Sequence, residues 1–286
     1  DPLMNPTYPE RVIRTLPQLI GAMRKHPVKF RYYFESYLFH WPLAHANSLV
    51  FVSKHNLPIA KSLGLPAAVY LPQTTDQMRW NETEEILTDA DAAQEKSVRE
   101  KMGTVAGTYA LFVGQMKLRK GWDVLLEAIP HIPASTLPYV VMVSSSTKDE
   151  QEVFTTLIER LGIRDRVVFL GLVPTNSLLR EIYSGSEMLV VPSRYEGFGL
   201  APLEAFELGE PVVASDVEAL TEYLVDGVNS LLVTPKDPGA LGGAITRLAA
   251  DKTLQQTLIQ GGEKTLATLR SPAYAKQWLD FYEGWL

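Results

Sequence analysis

The feature that most constrains this fold is a regular alternation of short apolar runs with helix-like segments, which begins near residue 104. Six runs rich in Val, Leu, Phe or Met are typical of β-strands, and segments with helical periodicity lie between them. Such alternation builds a parallel sheet through right-handed crossovers. The sequence therefore predicts a doubly wound, Rossmann-like α/β domain. The predicted strands are residues 109–113, 139–143, 166–170, 187–191, 211–215 and 229–233.

The predicted helices complete this pattern. Four of them lie between the strands, at residues 122–129, 150–161, 175–183 and 200–208, and three more close the chain at 237–249, 251–269 and 272–285. The first hundred residues are different, because only residues 48–52 and 67–71 are typical of strands. Two helices are predicted within 11–46, and a charged helix over 82–102 is predicted to connect two domains. We expect an incomplete or reduced N-terminal α/β domain over 1–103 and a complete domain over 104–271.

Composition excludes several classes of protein. The 286 residues, 46% of them apolar, suffice for two cores of ~140 residues each. With 27 Lys and Arg against 33 Asp and Glu, there is no basic field to hold nucleic acid. The absence of cysteine excludes disulfides and Cys-ligated zinc. No apolar run approaches the ~20 residues of a membrane span, and the opening lacks a signal-peptide core. The sequence predicts a cytoplasmic protein.

One segment leaves peripheral membrane contact open. Residues 24–34 mix cations with aromatic side chains, a combination that suits an anionic membrane surface or a lipid-linked acceptor. A solvated loop leading into an amphipathic helix explains the same residues, and single basic clusters are weakly diagnostic. We favour the solvated loop.

A glycine loop after the fourth predicted strand has the outline of an anion site. The loop 194–199 runs into a helix that begins near Leu200. Gly197 and Gly199 allow close approach of a ligand to the backbone, and a helix start favours phosphate. Glu196 and Glu204 flank the loop, and carboxylates accept hydrogen bonds from sugar hydroxyls. Together these groups match a nucleotide sugar. The alternative is a tight strand-helix turn with two solvated glutamates.

The segment PSRYEGFGLAPLEAFELGEPVVAS resembles the E-x7-E motif of the family 4 retaining glycosyltransferases, which have the GT-B fold. The likeness extends backward through RVVFLGLVPTNSLLREIYSGSEMLVVPS and forward through VEALTEYLVDGVNSLLVTP. Upstream, LFVGQMKLRKGWDVLLEAIP resembles the family's strand, loop and helix with a Lys-Gly pair, and ANSLVFVSKHNLPIAKSLG resembles the end of its N-terminal domain. The resemblance covers most of residues 46–286.

The resemblance implies roles for individual residues of the donor site. Glu196 would contact the donor sugar hydroxyls, and Glu204 the ribose diol. Lys120 would neutralise the diphosphate leaving group, where negative charge grows during transfer. Glu196 and Lys120 are thus the two residues to which the resemblance gives a catalytic part. The backbone groups that would line the sugar and diphosphate are those of Gly197, Phe198, Gly199 and Leu200.

Three further positions follow from the resemblance, and one of them departs from the family pattern. In the family, an arginine directly follows the glycine of the loop after the strand that corresponds to residues 109–113. Here Gln115 follows Gly114, and it brings no charge. Lys117 or Arg119 would compensate, or donor activation would be weaker. Leu172 and Val173 lie where the family contacts the nucleobase. Considered singly, Lys120 is also compatible with a solvated lysine at the start of a helix. Leu172 and Val173 are likewise compatible with ordinary core residues.

The N-terminal elements of the family's site have no counterpart that can be placed. The family has a glycine-rich loop after its first strand and a histidine that faces the reacting sugar. His40 and His45 are the nearby histidines, and each fits a packed or surface residue better than a catalytic one. In the family the last helix returns to the N-terminal domain, so residues 272–286, with Trp278, Phe281, Tyr282 and Trp285, are expected to pack on residues 1–70.

The leading hypothesis is a retaining glycosyltransferase that moves a hexose from a UDP- or GDP-sugar to an acceptor hydroxyl of a glycan, a lipid-linked molecule or a small molecule. No bound metal or cofactor is expected, and the sequence has no Asp-x-Asp or paired-histidine motif. One alternative is a nucleotide-sugar-binding chain that is inactive without a partner supplying the N-terminal half. Another is a nucleotide-sugar epimerase.

Overall fold

A computed structural model describes residues 45–46, 48–62, 64–65, 68–71, 73, 80, 88–105 and 108–284. The helices predicted within 11–46, the cationic and aromatic segment 24–34, His40 and Trp285 lie outside these residues. Contacts divide the chain into two compact units, Asp1–Pro72 and Gln73–Leu286.

The described part of the first unit is one β-α-β element. Strand β1 is Leu49–Phe51, helix α1 is Asn56–Ser62 and strand β2 is Ala68–Tyr70. The two strands pair in parallel, and Leu49 lies opposite Ala68. Both strands that the sequence predicts in this region are therefore confirmed. His45 lies in an exposed turn before β1.

The second unit contains the predicted alternation of strands and helices. The strands are β3 (Tyr109–Val113), β4 (Tyr139–Val143), β5 (Val167–Gly171), β6 (Met188–Val191), β7 (Val212–Ser215) and β8 (Leu231–Val233). The helices are α2 (Asp89–Met102), α3 (Trp122–Ala128), α4 (Lys148–Leu161), α5 (Asn176–Ser184), α6 (Ala201–Glu207), α7 (Pro238–Ala250), α8 (Lys252–Leu269) and α9 (Pro272–Glu283). The strand predictions hold to within two residues, because each strand is a short apolar run.

The six strands form one parallel sheet in the order β5-β4-β3-β6-β7-β8. The chain builds outward from β3 to β5, returns to place β6 beside β3, and then builds outward to β8. The direction of winding therefore reverses between β3 and β6, which makes this the switch point of the sheet. The Rossmann-like prediction is confirmed.

The core explains why strand β6 consists only of apolar residues. Every residue of β6 is buried, and helices cover both faces of a parallel sheet. Helix α3 contributes Trp122, Leu125 and Leu126 to the core beneath β3 and β4. Helix α4 begins with a capping box, in which Thr147 and Glu150 satisfy the first free backbone amides.

Helix α2 packs within the second unit. Its side chains at Gln94 and Lys101 donate hydrogen bonds to the backbone carbonyls of Leu172 and Phe169, at 3.0 and 3.1 Å. The charged helix predicted as a connector is thus seated on β5. None of the helices in the described part of the chain is long and apolar enough to cross a bilayer.

The final helix, α9, buries none of its residues. Its aromatic side chains contact one another, with the Trp278 and Tyr282 rings stacked at 6.3 Å between centroids and Phe281 edge-on to Tyr282. The predicted packing of this helix on residues 1–70 stays a prediction, as does the domain boundary after residue 103.

Candidate functional site

Two loops meet at the switch point of the sheet. The loop after β3 runs from Gly114 to Gly121, and the loop after β6 runs from Pro192 to Leu200. Because β3 and β6 are parallel neighbours, both loops leave from the same edge. This is the edge where open α/β sheets bind their ligands.

Close backbone packing fixes the two loops against each other. Gly121 has φ +67°, and a Cβ there would lie 1.8 Å from the carbonyl oxygen of Pro192, so no other residue fits. The Arg194 amide donates to the Arg119 carbonyl at 2.8 Å. The Arg194 guanidinium forms two 2.6 Å hydrogen bonds to Asp123 and a third to the Leu118 carbonyl. The loop that carries Lys120 is thereby held on the loop that carries Glu196.

The centre of the site is the carboxylate of Glu196, which is only 4% exposed. The Lys120 ammonium and the Ser193 hydroxyl each donate to its Oε1 at 2.7 Å. The Arg119 guanidinium lies 3.7 Å from its Oε2. Both carboxylate oxygens thus face positive charge, which compensates the cost of burying the carboxylate.

The neighbouring cations differ in what they contact. Lys117 pairs with Glu150 on α4, with 2.6 Å between Nζ and Oε1. This contact and the capping of Thr147 lower the pKa of Glu150. Arg119 instead faces Glu196, and Gln115 is exposed in the same loop. Of the two cations expected to compensate for Gln115, only Arg119 is seen beside the Glu196 carboxylate in the described structure.

The glycine loop reaches helix α6 through a backbone conformation that favours glycine. Gly199 has φ +88°, and a Cβ there would lie 2.5 Å from the Leu220 side chain. The Tyr223 hydroxyl donates to the Gly199 carbonyl, and its ring lies 5.2 Å from that of Phe198. Burial, and then the Glu196 charge, raise the pKa of Tyr223.

Gly197 and Leu200, the other two positions whose backbone is expected to line the donor, face open space. A Cβ on Gly197 would meet nothing within 4 Å, so this glycine leaves room rather than filling it. Leu200, just before α6, is also exposed.

The second glutamate of the motif lies on the first turn of α6. Glu204 is buried, and its Oε2 accepts a 3.1 Å hydrogen bond from the hydroxyl of Tyr183 on α5. Glu196 and Glu204 thus have different partners: a cationic cluster holds the first, and a phenol holds the second.

The remaining predicted positions lie along the same edge of the sheet. The Gly114 amide donates to the Val143 carbonyl at 3.0 Å, and the closest atoms to a Cβ there include the Lys120 side chain. Leu172 and Val173 follow β5, which ends at this edge. Leu172 is 62% exposed, so it is not an ordinary core residue.

Sequence reasoning missed four residues that position the site. Ser193 and Arg194 lie close to Glu196 in the sequence, so their position in the motif could have identified them as site residues. Asp123 and Tyr183 gave no such signal, because they belong to other helices. Among the described residues, no group of three or more His, Asp or Glu side chains is arranged to hold a metal ion.

Sheet order and site position together define a doubly wound α/β protein with its candidate site at the switch point. The chain belongs to the family described as Glycosyl transferases group 1, whose sequence profile matches residues 94–265. The match includes both loops and both glutamates of the motif. The predicted family is confirmed.

A curated relative resembles this chain in sequence, and two solved structures share its fold. An uncharacterised glycosyltransferase of Methanocaldococcus jannaschii is 34% identical over 154 residues, which are 54% of this chain and 39% of that protein. Sucrose-phosphate synthase of Thermosynechococcus elongatus superposes with a TM-score of 0.70 at 25% identity, over 89% of this chain and 61% of that one. HepE of Anabaena, solved in complex with UDP, superposes with a TM-score of 0.69 at 18% identity, over 90% of this chain and 68% of that one. The chain spans less than half the length of the curated relatives it matches.

Proposed function

We propose that this chain binds a nucleoside-diphosphate sugar at the carboxyl edge of its six-stranded sheet and belongs to an enzyme that transfers a hexose from a UDP- or GDP-sugar with retention of configuration. One observation carries the proposal: Lys120 and Glu196, 76 positions apart in the chain, form a 2.7 Å ion pair at the switch point. A cation for the phosphates and an acceptor for hydroxyls are thus in contact.

The chemistry of a nucleotide sugar matches this pair. The Glu196 carboxylate accepts hydrogen bonds from the donor sugar hydroxyls, and the Lys120 ammonium binds the diphosphate beside it. Ser193 holds the carboxylate while the lysine turns to the phosphate, since it donates to the same oxygen. The buried site keeps these interactions strong.

Arg119 supplies the second positive charge for the diphosphate. It lies 3.7 Å from Glu196 and is half exposed, so its side chain is able to reach a ligand at the mouth of the site. Gln115 donates hydrogen bonds without charge. Lys117 takes no part, because Glu150 holds it.

The nucleoside lies on the side of Glu204 and β5. Glu204 accepts hydrogen bonds from the ribose diol, and the backbone at Leu172 and Val173 contacts the base. The fold shared with HepE, which was solved with UDP, supports a uridine nucleotide as the first ligand to test.

Transfer proceeds without a protein nucleophile. The bond between the anomeric carbon and the diphosphate oxygen breaks, and the acceptor oxygen bonds to the same carbon on the same face. The acceptor proton passes to the departing diphosphate oxygen. Lys120 stabilises the negative charge that develops on this leaving group.

A second candidate is a donor-binding chain that performs no transfer alone and needs a partner for its acceptor half. Lys120, Glu196 and Glu204, the side chains that carry the proposed donor site, all lie in the second unit. Donor binding without transfer or donor hydrolysis would identify it.

Calorimetry with UDP, GDP and ADP tests the donor site directly. We expect one of these diphosphates to bind, and Glu204→Ala to weaken it by about tenfold through loss of the ribose contact. Glu222→Ala is the control, since Glu222 lies outside the two loops and we expect it to leave the affinity unchanged. If none of the three diphosphates binds, the proposed function is wrong.

A further inference from the structure

Tyr183 lies deep in the second unit and contacts the second glutamate of the motif. Its side chain is 0% exposed, and its hydroxyl donates to Glu204 Oε2 at 3.1 Å. A buried phenol needs a hydrogen-bond partner, and here that partner is a carboxylate that the proposed function assigns to the ribose. The contact therefore links the interior of the domain to the nucleoside side of the site.

The surroundings of Tyr183 fix its ring. Trp80 packs edge-on against it, with 5.9 Å between ring centroids and an interplanar angle of 71°. Arg180, one turn earlier on α5, donates to the Trp80 carbonyl at 3.2 Å. The phenol oxygen is thus held in one place, and it directs the carboxylate that it contacts.

A glutamate side chain has three rotatable bonds, so burial alone does not fix the plane of its carboxylate. Holding Oε2 in place fixes the direction of Oε1 as well, because the carboxylate is planar. A ribose presents two adjacent hydroxyls, and a fixed carboxylate plane is needed to accept from both of them. A 2′-deoxyribose offers only one.

We propose that Tyr183 is a positioning residue that, by orienting Glu204, sets a preference of this chain for ribonucleotides over 2′-deoxyribonucleotides. The inference rests on the proposed role of Glu204 in the donor site. Tyr183 itself does not touch the ligand.

A double-mutant cycle tests the inference with the 286-residue chain. The dissociation constants of the tightest binder among UDP, GDP and ADP and of its 2′-deoxy analogue are measured for the wild type, Tyr183→Phe, Glu204→Ala and the double variant. We expect the wild type to prefer the ribonucleotide by about tenfold and Tyr183→Phe to retain about twofold. Because Glu204→Ala leaves no acceptor for the tyrosine to orient, Tyr183→Phe should change the preference no further in that background.

Tyr109→Phe is the matched control. Tyr109 is also buried, and its hydroxyl donates to the Ile182 carbonyl on the same helix at 2.6 Å. The control loosens α5 without removing a bond to Glu204, so it should keep the wild-type preference. Thermal unfolding of each variant shows that the fold is retained.

Four results are decisive. A wild-type preference in Tyr183→Phe overturns the inference, as does an equal effect of this substitution in both backgrounds, which indicates a merely structural tyrosine. Binding of the diphosphate without any ribose preference in the wild type overturns the role of Glu204 together with this inference. No binding of any diphosphate overturns the proposed function itself.

Discussion

Two buried glutamates mark the opposite ends of the same parallel sheet. Glu196, at the carboxyl edge, is 4% exposed, and Glu210, before β7 at the amino edge, is 8% exposed. Lys120 and Ser193 contact the first carboxylate at 2.7 Å. The second accepts only a long 3.5 Å hydrogen bond from Ser186, as far as the described residues show.

The environments of the two carboxylates have different consequences. Burial, partly offset by the Ser186 hydrogen bond and assisted by the nearby Glu187 charge, raises the pKa of Glu210 to about 8. None of the interactions that set this pKa comes from a cation in the described structure. Burial alone therefore does not identify a binding carboxylate. The convergence of cations at the switch point distinguishes Glu196, because a ligand with phosphates is able to replace the carboxylate as their partner.

The largest expected effect is on stability, at the glycine loop of the carboxyl edge. Gly199→Ala places a Cβ at φ +88° and 2.5 Å from Leu220, so we expect a loss of about 3 kcal/mol in the free energy of unfolding. Gly197→Ala, which meets open space, is the control and should change stability by less than about 0.5 kcal/mol. Urea unfolding measures both, and equal losses would contradict the described loop geometry.

The second-largest expected effect is on ligand affinity, and it comes from the cations at the carboxyl edge. Lys120→Met should weaken binding of a nucleoside diphosphate by about thirtyfold, or ~2 kcal/mol, and binding of the parent nucleoside much less. Lys117→Met, which removes a lysine held by Glu150, should change either affinity by less than about twofold. Calorimetry compares the four affinities. If Lys117→Met lost more diphosphate affinity than Lys120→Met, the phosphate would be bound by Lys117 and the proposed role of Lys120 would be wrong.

The amino edge gives the smallest effect, and it depends on pH. The folded-state pKa of Glu210 is raised from 4.5 to about 8, so its contribution to stability is fully present below pH 4.5 and is lost as the pH rises through 8. The full linkage value of this rise is ~5 kcal/mol at pH 9, and relaxation and water entry around the ionised carboxylate reduce it. We therefore expect Glu210→Gln to stabilise the chain by about 1.5 kcal/mol at pH 9 and to leave it unchanged at pH 4. Urea unfolding at the two pH values measures this. A gain that is independent of pH would mean that ionisation is not its cause.

The sequence predicted the sheet well, because strands and helices depend on local patterns. The strand predicted at 109–113 is Tyr109–Val113 in the structure, and the other strands deviate by at most two residues. Neighbouring side chains within a motif were also within reach of prediction. Glu196 and Glu204 were assigned from one continuous segment that resembles a family motif.

Contacts between distant segments could not be read from the sequence. The choice between Lys117 and Arg119 depended on Glu150, which lies on another helix. The contact of Tyr183 with Glu204 joins α5 to α6 and follows no periodicity. Such pairs are set by how helices pack across the sheet, so they appear only when the fold is known.

The most direct measurement compares an intact nucleotide sugar with its bare diphosphate. UDP-glucose, UDP-galactose and GDP-mannose are titrated into the wild type, and the tightest donor and its diphosphate are then titrated into Glu196→Gln and Glu210→Gln. We predict that Glu196→Gln weakens the intact donor about tenfold more than the diphosphate, because only the donor carries the sugar hydroxyls. Glu210→Gln should change neither affinity. Equal losses for both ligands in Glu196→Gln would contradict the sugar-binding role of this carboxylate.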